Sequence, residues 1–202
     1  GLSAANNSPK LLSYEGLKPD EFLPFKSQAT DYKRLHIVVV SKEFPPFTRS
    51  GGIGTLYYHL VSELLLAGHF VSVIIESDEE NVLERGRFKL IALEKQSINH
   101  VYIDDSNIAN AIVSWSTRVA VEIDSLNEIH PISVVDSCLW DSEVYSFSLI
   151  NKNLDIPLVV RLVTPLKVAN EKNAWNMKTE DVDYLSFFET EIVNNANAVI
   201  PI

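Results

Sequence analysis

The fold is decided by residues 35–75, which read LHIVVVSKEFPPFTRSGGIGTLYYHLVSELLLAGHFVSVII. Residues 35–40 are almost entirely apolar, as expected for a strand that is buried on both faces of a parallel sheet. From about Gly54 the apolar residues recur every three or four positions, which predicts a helix that ends near Gly68. Residues 70–75 predict a second buried strand. The stretch is therefore a βαβ unit with a glycine-rich loop between its first strand and its helix.

The alternation of strands and helices continues along the chain. Further strands are predicted near residues 88–93, 100–103, 132–135, 158–163 and 198–202, and further helices near 107–129, 142–150 and 181–194. This order predicts an α/β fold with a Rossmann-like, mostly parallel sheet and helices on both faces. Residues 1–33 carry three prolines and no sustained periodicity. We therefore expect an irregular leader over residues 1–33 and one Rossmann-like domain over residues 34–202.

Composition narrows the classes of function. The chain has 202 residues, 46% of them apolar, and a net charge of -10, which disfavours nucleic acid or anionic lipid as a partner but still allows a local basic pocket. Its single cysteine excludes an internal disulfide and a thiolate zinc cluster, so a cytoplasmic location is expected. No apolar run approaches the roughly 20 residues of a membrane span. The sequence stops within a predicted strand, and we expect a longer protein to continue beyond it.

The glycine-rich loop is the first candidate site. Ligands of open α/β sheets bind where the parallel strands end, beside helix N-termini whose free amides favour anions. Gly51, Gly52 and Gly54 lack a Cβ, so their backbone amides can approach a phosphate or a sugar hydroxyl closely. The GxxxxGK[ST] phosphate loop is excluded, because Thr55 follows the last glycine.

A dinucleotide site is a weaker interpretation of the same loop. The GxGxxG fingerprint would use Gly52 and Gly54 but finds Tyr57 at its third glycine, and about ten residues separate the strand from the glycines. Glu76 nevertheless stands near the position of a ribose-binding acid, so a nicotinamide or flavin site stays open. A loop whose glycines only permit a turn is a further alternative.

Several ordered segments resemble the N-terminal domain of GT-B glycosyltransferases, in particular family 4, with glycogen synthases as more distant relatives. The resemblance rests on EFPP at residues 43–46, GGIG at 51–54, GHFVSV at 68–73, VVDSCLWDSE at 134–143, PLVVRLVTP at 157–165 and ANAVI at 196–200. It covers about residues 35–202, with a weaker match in the middle.

The resemblance implies one half of a two-domain GT-B enzyme that transfers a sugar from a nucleotide-activated donor to a carbohydrate or other hydroxyl acceptor. This half would bind the acceptor and would be inactive alone, while a missing C-terminal domain of the same chain would bind most of the nucleotide. The amides of Gly51, Gly52 and Gly54 would lie near the donor phosphates and stabilise charge on the leaving group. Neither a metal nor a cofactor is implied, because amides and basic side chains take the place of a metal.

The resemblance also points to candidate acceptor-binding residues, which are Glu43, Arg49, Asp136, Trp140, Glu143, Arg161 and Thr164. Asp136 and Glu143 would follow a strand and open a helix, so capping of that helix is the alternative role for Asp136. Trp140 could stack on a sugar or pack in the core, and Arg49 could pair with a phosphate or stay solvated. Arg161 lies inside an apolar run, which predicts an acidic partner.

One position departs from the family pattern. Members commonly carry a histidine in an R-L-H-T-P segment, and this chain has Val163 there. Valine can neither donate a hydrogen bond nor transfer a proton, so no catalytic residue is assigned. A non-catalytic carbohydrate-binding or regulatory descendant is therefore the alternative function. The histidines lack metal-ligand spacing and the D-x-D of residues 181–183 stands at a predicted helix start, so no metal site is expected.

Overall fold

The computed structural model describes residues 33–48, 51–95, 107–151 and 154–202. Its strands are β1 His36–Val40, β2 Phe70–Ser77, β3 Asn81–Arg85, β4 Phe88–Glu94, β5 Val134–Cys138, β6 Leu158–Leu162 and β7 Ala198–Pro201. Its helices are α1 Gly52–Leu66, α2 Asn107–Ile129, α3 Tyr145–Ile150, α4 Leu166–Asn173 and α5 Thr179–Asn195, with a short 3₁₀ turn over Trp140–Ser142.

The strands form one sheet in the order β3-β4-β2-β1-β5-β6-β7. All neighbouring strands run parallel except β3 and β4, which form an antiparallel pair. The predicted mostly parallel, Rossmann-like sheet is thereby confirmed. β1 lies at the centre, and each of its five residues is buried, which explains why its sequence is nearly continuous in apolar residues.

Helices cover both faces of the sheet, as predicted. On one face, α1 packs Tyr57, Val61 and Leu65 against alternate residues of β1, β2 and β4. On the other face, α2, α3 and α5 pack against the remaining residues of the central strands, with Trp115 and Phe147 among the buried side chains. The period-2 alternation of the strands thus divides the core into two clusters.

The end of α1 follows the prediction that Gly68 terminates it. Gly68 has a φ of +89°, a left-handed conformation that glycine adopts without strain. Its amide donates to the Leu65 carbonyl at 3.0 Å, and the amide of His69 donates to the Leu64 carbonyl at 3.1 Å. These two bonds satisfy carbonyls at the helix end and turn the chain into β2.

One predicted strand needs correction, and two elements were missed. The strand expected at residues 132–135 lies at Val134–Cys138, so Asp136 stands within β5 and is not a helix cap. The edge strand β3 and the helix α4 were not predicted. β3 is largely exposed and therefore lacks an apolar pattern.

Some predictions fall outside the described residues. They are the leader, apart from Lys33, and the strand expected at residues 100–103. Among the helices that the structure describes, none combines the length and the apolar character needed to cross a membrane.

Candidate functional site

The loop between β1 and α1 folds back so that its own carboxylate reaches the glycine amides. Ser41 Oγ donates to the Glu43 carbonyl at 2.8 Å, and the amide of Phe44 donates to Thr48 Oγ1 at 2.6 Å. Glu43 Oε2 accepts from the amide of Gly51 at 2.7 Å and from the amide of Gly54 at 3.2 Å. The N-terminus of α1 therefore holds an anion, as its free amides and dipole favour. That anion is the side chain of Glu43.

This contact predicts a stability effect. Replacing Glu43 with alanine leaves the amides of Gly51 and Gly54 without their carboxylate, so the free energy of unfolding should fall by about 1–2 kcal/mol, the scale of a lost helix cap. Urea unfolding measures the change. The matched control is Glu63→Ala, at an exposed position in the same helix, where a change within about 0.5 kcal/mol is expected. Equal losses in the two variants would contradict the capping role.

A buried ion pair lies on the α1 side of β5 and β6. Asp136, only 7% exposed, accepts from Arg161 Nε through Oδ1 and from Arg161 Nη2 through Oδ2, both at 2.8 Å. The Tyr57 hydroxyl donates to Asp136 Oδ1 at 3.1 Å. These hydrogen bonds raise the pKa of Arg161, and burial raises the pKa of Tyr57. The acidic partner expected for Arg161 is confirmed, and it is Asp136.

Glu143 is a buried carboxyl with one free oxygen. It is 4% exposed, and Oε1 accepts from the amide of Lys42 at 3.1 Å, whereas Oε2 has no partner among the described residues. Burial raises its pKa to about 8, and the neighbouring charges of Asp141 and Glu76 add to this while Lys42 opposes it. At neutral pH the side chain is therefore mostly protonated and has a hydrogen to donate.

The segment that carries Glu143 has an unusual backbone. Asp141 and Ser142 have φ values of 60° and 49°, the left-handed region that non-glycine residues rarely adopt. Lys42 Nζ lies 3.6 Å from Asp141 Oδ2, which connects this segment to the loop after β1. Ser142 Oγ is buried and also lacks a partner in the described part of the chain. Strained backbone and unpaired buried polar atoms concentrate at functional sites, so the segment belongs to the candidate site.

The remaining predicted residues lie around this edge of the sheet. Trp140 is half-buried and packs edge-on against Trp175, with 6.1 Å between ring centroids. Thr164 is exposed after β6, and Val163 packs partly buried against the α1-side cluster. Gly52 is exposed at the first turn of α1. Arg49 falls outside the described residues.

The structure thus joins the predicted residues in two contacts and adds others. Glu43 contacts Gly51 and Gly54, and Asp136 contacts Arg161. In both cases the predicted binding residues form hydrogen bonds with one another. Their predicted roles toward a donor and an acceptor stay predictions. Sequence reasoning did not single out Lys42 or Tyr57. The only signal for Tyr57 was a phenol on the apolar face of a predicted helix, where a buried hydroxyl needs a partner.

The geometry also bears on the alternatives. Eleven residues, 41–51, separate the end of β1 from the start of α1, which is too long for the tight turn of a dinucleotide site. Asp181 lies in the first turn of α5, as expected for charge at a helix N-terminus. Within the described ranges, no three histidine, cysteine or acidic side chains are placed to hold a metal ion.

Sequence comparison identifies no relative. The sequence matches no protein-family model. Curated proteins give no significant match to it either.

Comparison of the structure with solved structures is informative about the fold. UGT2 of Phytolacca americana in its apo form has a TM-score of 0.53 and 9% identity, and the match covers 83% of this chain and 46% of that one. UGT89C1 of Arabidopsis thaliana in complex with quercetin has a TM-score of 0.52 and 15% identity, with 84% and 43% covered. The chain thus spans less than half the length of each. Its fold is one Rossmann-like half of the GT-B architecture found in glycosyltransferases.

Proposed function

We propose that this chain is the acceptor-side half of a GT-B glycosyltransferase related to family 4, which transfers a sugar from a nucleotide-activated donor to a carbohydrate or other hydroxyl acceptor. The observation that carries the proposal is the anion site at the start of α1. There the amides of Gly51 and Gly54 hold a carboxylate at the edge of a GT-B half-domain where the parallel strands end. On this proposal the rest of the donor is bound by a C-terminal domain, and the enzyme acts in the cytoplasm.

The chemistry explains why such a site is useful. In the transfer, the acceptor hydroxyl oxygen bonds to the reacting carbon of the donor sugar, and the bond from that carbon to the phosphate oxygen breaks. The proton of the acceptor hydroxyl passes to the departing phosphate or to water. The phosphate leaves with the electron pair, so negative charge grows on it. Amides that are already oriented toward an anion stabilise that charge without reorganising, which lowers the barrier. Gly51 and Gly54 donate in this way to Glu43 in the structure.

Donor binding and the Glu43 contact compete. Each amide has one hydrogen, and Glu43 Oε2 accepts both of them. A donor phosphate at the same amides therefore requires the Glu43 side chain to turn away. In the proposed enzyme, Glu43 occupies the anion site until the donor displaces it.

A second candidate function rests on the same contact and on Val163. If Glu43 is not displaced, the amides are unavailable to a donor, and Val163 supplies no proton or hydrogen bond where the resembling family has a histidine. These two features favour a non-catalytic carbohydrate-binding or regulatory descendant of the fold.

Sugar-nucleotide turnover by the full-length protein, measured against a panel of donors, separates the two functions. A Cβ built on Gly52 meets no atom within 4 Å, so Gly52→Val adds a side chain at the donor edge where its first carbon has room. If the glycine amides serve the donor, the valine side chain should keep the donor phosphate away from them, and turnover should fall about 100-fold or more, the scale of losing one oriented hydrogen-bond donor.

Two further variants complete the experiment. Glu63→Val introduces the same side chain at an exposed position farther along α1 and should keep full turnover. Val163→His restores the residue of the resembling family. Turnover that Gly52→Val abolishes supports the transferase, whereas a silent native protein that gains activity with Val163→His supports the non-catalytic descendant. Turnover unaffected by Gly52→Val would contradict the donor-phosphate role of the loop.

A further inference from the structure

We propose that a pocket at the opposite edge of the sheet, where the parallel strands begin, binds a small oxyanion such as phosphate or the phosphoryl group of a phosphate monoester. The pocket has a volume of about 130 Å³ and lies between the starts of β1, β2 and β4 and the end of α2. Its polar lining includes His36, Ser72, Glu84, Arg87, Lys89 and His130. The proposal does not depend on the function proposed above.

Arg87 is the residue that points to an anion. Its Nε is buried and has no hydrogen-bond partner among the described residues. Nor does any acidic side chain in the described ranges form an ion pair with it. Buried donors without a partner are rare in folded proteins, and a guanidinium matches the geometry of phosphate oxygens. An unpaired arginine that lines a pocket, in a chain with a net charge of -10, is best explained by a ligand.

Two histidines form a fixed wall of the pocket. The His36 and His130 rings stack with centroids 4.6 Å apart and planes 10° apart, and Phe70 packs edge-on against His130. His36 Nδ1 lies 2.9 Å from the His130 carbonyl, and its Nε2 lies 2.9 Å from Ser72 Oγ. Because a carbonyl only accepts, Nδ1 carries a hydrogen. Burial lowers the pKa of His36, so the ring is neutral at pH 7 and its Nε2 accepts from Ser72 Oγ. His36 is therefore a neutral support, and the exposed His130 also lines the pocket.

The remaining charges favour an anion of limited size. Lys89 Nζ lies 3.9 Å from Glu84 Oε2, at the limit of an ion pair, so Glu84 offsets Lys89 while Arg87 stays uncompensated. A volume of about 130 Å³ corresponds to roughly four water molecules. This volume accommodates a phosphate group but not a nucleotide.

The pocket is separate from the candidate site described above. His36 begins β1, whereas Ser41 and Glu43 follow its other end. Five strand residues at about 3.3 Å each put roughly 15 Å between the two edges. A ligand in this pocket therefore cannot contact the amides of Gly51 and Gly54.

Calorimetric titration of the full chain with inorganic phosphate and with glycerol phosphate, at constant ionic strength in chloride, tests the proposal. We expect saturable binding that Arg87→Gln weakens at least about tenfold, since it removes the charged hydrogen-bond donor. Arg85→Gln is the matched control, because it removes the same charge two residues earlier without lining the pocket, and should change the affinity less than about twofold. Tighter binding of glycerol phosphate identifies a phosphoryl monoester as the ligand class, and tighter binding of phosphate identifies the free ion.

A second measurement keeps the test independent of how well Arg87→Gln folds. In the native chain, phosphate should shift the ring resonances of His130, which lines the pocket, and leave those of His59, on the exposed surface of α1, unchanged. The proposal is overturned if neither ligand binds saturably, if Arg85→Gln weakens binding as much as Arg87→Gln, or if both histidines shift alike.

Discussion

Replacing Asp136 with alanine is expected to lower the free energy of unfolding by about 3–5 kcal/mol, the largest loss predicted for a substitution in this chain. The substitution leaves the Arg161 guanidinium without its two carboxylate bonds in a position where its side chain is only 15% exposed. It also removes the acceptor of the buried Tyr57 hydroxyl. Urea unfolding at pH 7 measures the loss, with an unchanged m-value as evidence that the same folded state is compared.

A double-mutant cycle separates the ion pair from other effects of the cavity. Arg161→Met removes the guanidinium while it keeps an apolar side chain, and the double variant Asp136→Ala, Arg161→Met leaves no unpaired charge behind. We expect the double variant to be more stable than Asp136→Ala alone, with a coupling free energy of about 2–3 kcal/mol. A loss below about 1 kcal/mol in Asp136→Ala would show that water already screens the pair.

The same double variant addresses the predicted acceptor-binding role of these two residues. If the full-length protein transfers a sugar, a folded double variant that keeps its KM for the acceptor assigns Asp136 and Arg161 to the scaffold. A folded double variant whose KM for the acceptor rises supports the predicted contact. Stability and KM together distinguish a scaffold role from an acceptor-binding role, because the ion pair alone explains only the scaffold role.

Elements buried on both sides, or with one continuous apolar face, could be predicted from the sequence. The helix expected at residues 107–129 occurs with those bounds, and β1 differs from its predicted range by one residue. The predicted strand ends at Val135, whereas β5 continues through Asp136 and Ser137 to Cys138. Asp136 is compensated by Arg161 on β6, and Ser137 Oγ by the Val40 carbonyl on β1. A hydropathy pattern does not contain these cross-strand partners.

The candidate site was predictable in its location but not in its contacts. Three glycines before a helix indicated an anion site, and the amides of Gly51 and Gly54 do hold an anion. The anion is Glu43 because the loop folds back over eight residues. No periodic pattern in the sequence predicts such a loop conformation. Similarly, Asp141 and Ser142, which directly precede the buried Glu143, adopt a conformation that sequence reasoning assigns to glycine.

Glu143→Gln is expected to be more stable than the native chain at alkaline pH and about equally stable near pH 4.5. The pKa of Glu143 rises from its ordinary value of 4.5 to about 8 in the folded chain, because burial disfavours the carboxylate. The folded state therefore holds a proton that the unfolded chain releases, so stability is highest below pH 4.5 and falls as the pH rises to about 8. Glutamine keeps the oxygen that accepts from the Lys42 amide but does not titrate.

The size of the effect follows from the same shift. Each pKa unit corresponds to about 1.36 kcal/mol, so full ionisation of Glu143 above pH 8 costs on the order of 4–5 kcal/mol. Urea unfolding of both chains from pH 4.5 to 9 should show a gap that widens up to about pH 8 and then levels off. The control is Glu171→Gln on the exposed surface of α4, for which we expect only a small difference from the native chain.

A constant gap across the pH range would contradict the buried, protonated state of Glu143. A widening gap would mean that the chain carries a destabilising carboxyl that glutamine could replace without loss of its one hydrogen bond. Retaining such a group makes physical sense only if the carboxyl is used, since natural proteins give up stability mainly at functional sites. The unpartnered Oε2, beside the loop that carries Glu43, is then the atom at which a bound acceptor should be sought.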